Sequence, residues 1–153
     1  MTIAEYIKSY QHSTQLFIDA VELITPDTID KADYAGWTPR QIVHHMADSE
    51  SQSASRLRRI LAEPGSQILG YDENKWSEEY ALGYRELPIE ASLAVYIAAR
   101  ASSLQILGRI AESDLKKFAI HSERGEFSVE SWLQVYGKHP VDHANQLREA
   151  IAE

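Results

Sequence analysis

Cysteine is absent from this chain. Disulfides, thiolate metal ligands and a cysteine nucleophile are therefore excluded, and nothing points to an oxidising compartment. Long apolar runs are missing too: no window approaches the ~18 residues of a membrane span. The opening segment MTIAEYIKSYQHS lacks a basic-then-apolar leader pattern and reads as the first helix of a fold. Positive charge is scarce, with 15 Lys and Arg against 23 Asp and Glu and a formal charge of -8. Such a surface repels phosphate backbones. Its one basic cluster, Arg56, Arg58 and Arg59, is followed by Glu63 and reads as a solvated helix face. Neither nucleic acid nor a membrane is expected as a partner, and a cytoplasmic location is the default expectation.

The chain has 153 residues, 44% of them hydrophobic and 25% charged, which suits a single domain over residues 1–153 with a core of its own. Four long segments carry helical periodicity. The first runs from about Thr2 to Ile24, with Ile3, Tyr6, Tyr10, Phe17 and Val21 on its apolar side and Pro26 beyond its end. The second opens at Thr38-Pro39-Arg40-Gln41. Thr38 can cap it, Pro39 fits the first helical position, and Gln41 completes a capping box. Pro64-Gly65 stops it near Ala62. The third starts near Pro88-Ile89 and reaches about Ala111; the fourth starts at Ser128 and runs nearly to the C-terminus. The long connection from Pro64 to Leu87 has room for a short helix at about Asn74–Ala81, and a connection of this length is usually functional or packs across one end of a bundle. Strand signals are nearly absent, and Glu126-Phe127-Ser128 is too short to matter. The expected fold is all-α: a four-helix bundle whose long connection between the second and third long helices permits a crossover.

Six histidines are present, and their placement carries the chemistry. His139 and His143, four apart, share one helical face with Trp132, Tyr136, Leu147 and Ala150, the apolar stripe. Two imidazoles one turn apart can reach a single ion about 2.1 Å from each nitrogen. Taken alone, the pair is a weak signal and reads more readily as two hydrogen-bonded helix histidines near the surface, and Lys138 and Asp142 show that this helix meets water in part. A metal site needs a third ligand from another helix. The second helix offers His44 and His45, and helical geometry alone does not choose between them. Asp48 and Glu50 are carboxylates nearby, read first as solvated charges. His12 and His121 have no matching partners and are expected at the surface.

Several segments, taken together, are more specific than the spacing. Gly36-Trp37-Thr38-Pro39-Arg40-Gln41-Ile42-Val43-His44-His45-Met46-Ala47-Asp48-Ser49 resembles the first metal motif of the DinB superfamily, in its YfiT-like branch. Tyr71-Asp72-Glu73-Asn74-Lys75-Trp76 resembles that branch's signature in the long connection, and Leu87-Pro88-Ile89-Glu90-Ala91-Ser92-Leu93 the start of its third long helix. Tyr136-Gly137-Lys138-His139-Pro140-Val141-Asp142-His143-Ala144 resembles the second metal motif, and the matches run in family order from about Tyr34 to the C-terminus. The resemblance implies three metal ligands, His45, His139 and His143, with His44 as a close neighbour. It implies a four-helix bundle, often a homodimer, acting as a metal-dependent hydrolase or as a transferase of bacillithiol or a similar low-molecular-weight thiol. Relatives often carry a second histidine where this chain has Pro140. A proline there withholds an amide from the Tyr136 carbonyl and is expected to kink the helix, shifting His139 relative to His143.

A three-histidine set leaves a coordination position open, as reactive sites do. Zinc suits it best, with nickel, iron and manganese as alternatives for the divalent metal. The expected partner is a small-molecule substrate. Candidates for proton transfer are Glu50, His44 and Asp142, each with a surface role as its plainer alternative. Tyr71 and Trp76 are candidates for a pocket wall or for packing of the long connection, and Trp37 and Trp132 for core positions. A non-catalytic bundle that holds a metal or a small ligand is the alternative reading of the whole chain.

Overall fold

The first two helix starts are built from reciprocal caps. The structure, a computed structural model, describes residues 1–152. Helix α1 (Ile3–Val21) begins where Thr2 Oγ1 accepts from the Glu5 amide and the Glu5 carboxylate accepts from the Thr2 amide. Helix α2 (Pro39–Ala62) repeats the device with Thr38 and Gln41, at 3.2 and 3.0 Å. Each box satisfies two amides that the first helical turn leaves without partners. Helix α3 (Glu73–Glu78) is a short turn in the long connection, capped by the Asp72 side chain on the amides of Asn74 and Lys75. A single turn of 3-10 helix follows at Tyr80–Leu82. Helices α4 (Glu90–Leu107) and α5 (Val129–Ala152) complete the set.

The four long helices form the bundle anticipated from their periodicity. Helix α1 packs mainly on α5, α2 packs on α4 and α5, and α1 touches α4. Consecutive α1 and α2 therefore stand on a diagonal, as do α4 and α5. Diagonal steps need long connections, which the chain supplies. The buried stripe of α5 includes Trp132, Leu133, Tyr136, Pro140, Ala144 and Leu147, and faces Tyr10 and Phe17 of α1 and Ile42, Met46 and Leu57 of α2 across the core. Full burial of one such leucine contributes about 1.5–3 kcal/mol. No helix among the described residues is long and apolar enough to cross a membrane.

Several boundaries differ from expectation. Helix α1 ends at Val21 rather than near Ile24, and α4 at Leu107 rather than Ala111, where Gly108 caps it. The larger correction is a sheet. Strands β1 (Gln67–Ile68), β2 (Phe118–His121) and β3 (Gly125–Ser128) lie in that order, β1 parallel and β3 antiparallel to β2. Residues 126–128 are thus one arm of a hairpin, with Phe118 opposite Ser128 and His121 opposite Gly125. In β2 the inward residues are Ala119 and His121, while Ile120 faces out. That alternation runs against hydropathy, so the period-2 signal of a strand is missing from the sequence.

Candidate metal centre

Of the two histidines that helical geometry left open, His45 is the one that lies with the pair on α5. His45 turns inward from α2 toward α5 and meets His139 and His143. The Nε2 atoms of His139 and His143 are 2.9 Å apart, and His45 Nε2 is 3.4 Å from His139 Nε2. Ligands at 2.1 Å around a tetrahedral ion are separated by about 3.4 Å. Pro140 does not break the helix: α5 stays helical from Val129 to Ala152, and its two histidines meet edge to face one turn apart, with ring centroids 4.4 Å apart.

Each ring is held in a different way. His143 Nδ1 lies 2.8 Å from Gln146 Oε1, and Gln146 Nε2 donates to Asp33 Oδ2 at 2.7 Å. Because the amide nitrogen is committed to Asp33, the Gln146 oxygen faces His143 and can only accept. His143 therefore carries its proton on Nδ1 and presents a lone pair at Nε2. Asp33 is itself buried: its Oδ1 accepts from the amides of Ala35 and Trp37, a wrap that Gly36 permits with φ of 87°. His45 lacks such a partner, since its Nδ1 is buried and unpaired. Its ring is seated edge-on against Trp37, with centroids 5.6 Å apart. His139 Nδ1 reaches Ser49 Oγ at 3.5 Å. Ser49 stands one turn after His45 on the same face of α2.

Burial disfavours the charged imidazolium and pushes all three histidines down. His45 falls to about 3, with the neighbouring His143 adding to the effect; His139 lies well below the ordinary histidine value; His143 is lowered less, because the Gln146 contact opposes burial. Three neutral imidazoles with convergent nitrogens, His45 buried and His139 and His143 half-buried, fit a divalent cation. Protonated rings would not sit together here.

Of the proton-transfer candidates, Glu50 and His44 are engaged elsewhere, whereas Asp142 lines the same cavity as His45 and His143. Glu50 follows His45 by five residues, about 140° around the helix. It is fully buried, and its Oε1 accepts from Arg100 Nη1 at 3.0 Å, so the expected surface position is corrected. His44 has both ring nitrogens engaged away from the cluster, with Ser92 Oγ at 2.7 Å and the Leu87 carbonyl at 3.0 Å. Asp142 pairs with Lys138 one turn earlier, and Asp48 accepts from the Tyr84 hydroxyl. The carboxylate beside the cluster is Glu73, at the start of α3, whose Oε2 lies 3.7 Å from His45 Nε2. The long connection thus delivers an acid to the site. The available signal was Asp72, a helix-capping residue that fixes the turn on which Glu73 stands.

Other positions divide. Trp132 is in the core as expected, whereas Trp37 is only partly buried and borders the site. Tyr71 and Trp76 pack on each other at 4.6 Å, half-buried. His12 is exposed, but His121 is buried against Phe127, contrary to expectation. Arg56 and Arg58 do more than face solvent: Arg56 donates to the Tyr136 hydroxyl and the Leu69 carbonyl, and Arg58 to Ser102 Oγ.

Two cavities open beside the cluster. One, about 370 Å³, has His139, Ser49, Tyr71, Tyr136 and Arg56 in its walls; the other, about 420 Å³, has His45, His143, Trp37 and Gln146. Glu73 borders both.

A diagonal four-helix bundle with three convergent histidines between α2 and α5 defines a helical protein with a candidate metal centre. The chain belongs to the DinB superfamily, whose profile matches residues 9–147. It is 30% identical over 149 residues to a protein of Oceanobacillus iheyensis named "putative metal-dependent hydrolase", covering 95% of this chain and 85% of that one. A protein of Bacillus mycoides with the same name is 31% identical over 137 residues, covering 88% and 75%. Among solved structures, YfiT from Bacillus subtilis, described as a probable metal-dependent hydrolase with an unusual four-helix bundle topology, superposes with a TM-score of 0.86 at 27% identity, over 97% of this chain and 85% of that one. The four-helix bundle protein TT2238 shares the fold, with a TM-score of 0.67 at 21% identity over 96% of this chain and 98% of that one.

Proposed function

We propose that His45, His139 and His143 hold one divalent metal ion, zinc by our assignment, and that the chain is a metal-dependent hydrolase acting on a small molecule. The observation that carries this reading is the convergence of three neutral imidazole nitrogens with the Glu73 carboxylate beside them. A divalent ion bound by three imidazoles supplies Lewis acidity, which acidifies water or a thiol and polarises a carbonyl or phosphoryl group. Glu73 Oε2 accepts the proton released by the nucleophile, a role its position and partial exposure suit better than those of Glu50 or His44. The Asp33–Gln146–His143 chain fixes the tautomer, and Trp37 fixes the His45 ring.

A second reading is supported by the paired cavities. Hydrolysis needs room for one organic substrate and water, whereas cavities on two sides of the cluster suit two organic reactants. Transfer of a low-molecular-weight thiol to an electrophile is such a reaction. Rates on a panel of esters, amides and electrophiles, with and without added thiol, separate the two: dependence on thiol favours transfer, and turnover in its absence favours hydrolysis. Under either reading, Glu73→Gln retains bound metal and loses about a hundredfold or more in rate. An unchanged rate contradicts the role of Glu73.

A further inference from the structure

Pro140 has no amide hydrogen, so the Tyr136 carbonyl one turn earlier lacks the donor that a regular α-helix supplies. A buried carbonyl without a partner is costly. The donor comes from another helix. Arg100 of α4 is 1% exposed, and its Nη1 donates to the Tyr136 carbonyl at 2.8 Å and to Glu50 Oε1 at 3.0 Å. Its Nη2 donates to the Tyr10 carbonyl at 2.8 Å and to Ser13 Oγ at 2.9 Å, and its Nε to Thr14 Oγ1 at 2.8 Å. The guanidinium carbon also lies 3.5 Å from the centre of the Tyr10 ring. One side chain therefore joins α1, α2 and α5 to α4 at the level where α5 lacks its own bond. His139 immediately precedes Pro140, and His45 stands five residues before Glu50 on α2.

We propose that Arg100 is a positioning residue for the metal centre. It replaces the hydrogen bond that Pro140 withholds and, through Glu50, holds the α5 turn carrying His139 in register with α2, which carries His45. Only a planar fork with several donors makes all these contacts at once; a lysine ammonium keeps the charge opposite Glu50 but not the reach. The inference rests on the metal reading above, and the test separates the two.

Cobalt(II) is titrated into metal-stripped protein, following its visible absorption and its dissociation constant. Wild-type protein that takes up no cobalt overturns the metal reading, and this inference with it. Given binding, Arg100→Lys is expected to weaken cobalt affinity about tenfold or more and to change the absorption bands. Pro140→Ala, which returns an amide to the Tyr136 carbonyl, should leave wild-type affinity nearly unchanged but recover most of the loss when combined with Arg100→Lys. If Arg100→Lys does not fold, Glu50→Gln with Arg100→Gln, which removes both charges together, serves as the same background for Pro140→Ala. Wild-type affinity and spectrum in the Arg100 variants overturn the proposal. So does a loss that Pro140→Ala leaves unrepaired, because the effect of Arg100 then does not pass through the Tyr136 carbonyl.

Discussion

The lone pair that His143 offers depends on a residue that touches no ligand position. Gln146 can accept from His143 Nδ1 only while Asp33 holds the amide nitrogen. Groups that orient a ligand histidine are worth about 10–100-fold in metal affinity. Gln146→Leu is therefore expected to weaken metal binding by that order, measured by competition with a chromophoric chelator, while the helix content of the metal-stripped protein stays unchanged. Equal affinity contradicts the relay. The two i,i+4 histidines were legible from spacing, and the choice of His45 over His44 came from resemblance. Asp33 was not legible, because it lies 113 residues from Gln146 in the chain and is brought to it only by the fold. Glu50 was misplaced for a different reason: proximity in sequence to His45 concealed a large angle around the helix.

Helix α2 bears one proposed ligand and begins only six residues before it, so its N-terminal cap bears directly on the site. Thr38 accepts from the Gln41 amide, and Gln41 in turn accepts from the Thr38 amide. Losing such a cap costs about 1 kcal/mol. Thr38→Ala should lower stability by about that amount in urea denaturation, with the slope unchanged; an unaltered midpoint contradicts the capping account. This start was readable because caps are local, as were the long amphipathic helices. The strands were not readable. Strand β2 buries Ala119 and His121 and exposes Ile120, because its inner face meets the bundle and the cavity wall rather than a separate apolar layer. Helix α3 was anticipated near its true position, but its role in delivering Glu73 to the site was not.

At the scale of the molecule, the bundle keeps three titratable rings neutral. His45 is pushed down to about 3, and His139 and His143 are lowered as well. Below pH 6.5 the unfolded chain binds protons that these folded rings refuse, so their contribution to the stability of the metal-stripped protein falls as pH drops from 6.5 toward 3 and is fully present above 6.5, while the buried Glu50 carboxyl, pushed up by burial, acts in the opposite direction. Between about pH 7.5 and 5.5 the loss is about 1 kcal/mol for His45 alone, with further loss from the other two. The difference in urea midpoint between the wild type and His45→Gln at the two pH values checks this, and a difference that does not change with pH contradicts it. The expected homodimer is a proposal for light scattering to decide. The central claim is that three histidines hold one ion, and elemental analysis of protein purified without a histidine tag tests it most directly. The account predicts about one divalent metal per chain, lost on alanine substitution of His45, His139 or His143 and retained in His44→Ala. Metal content unaffected by all three ligand substitutions, or no metal even after incubation with zinc, contradicts it.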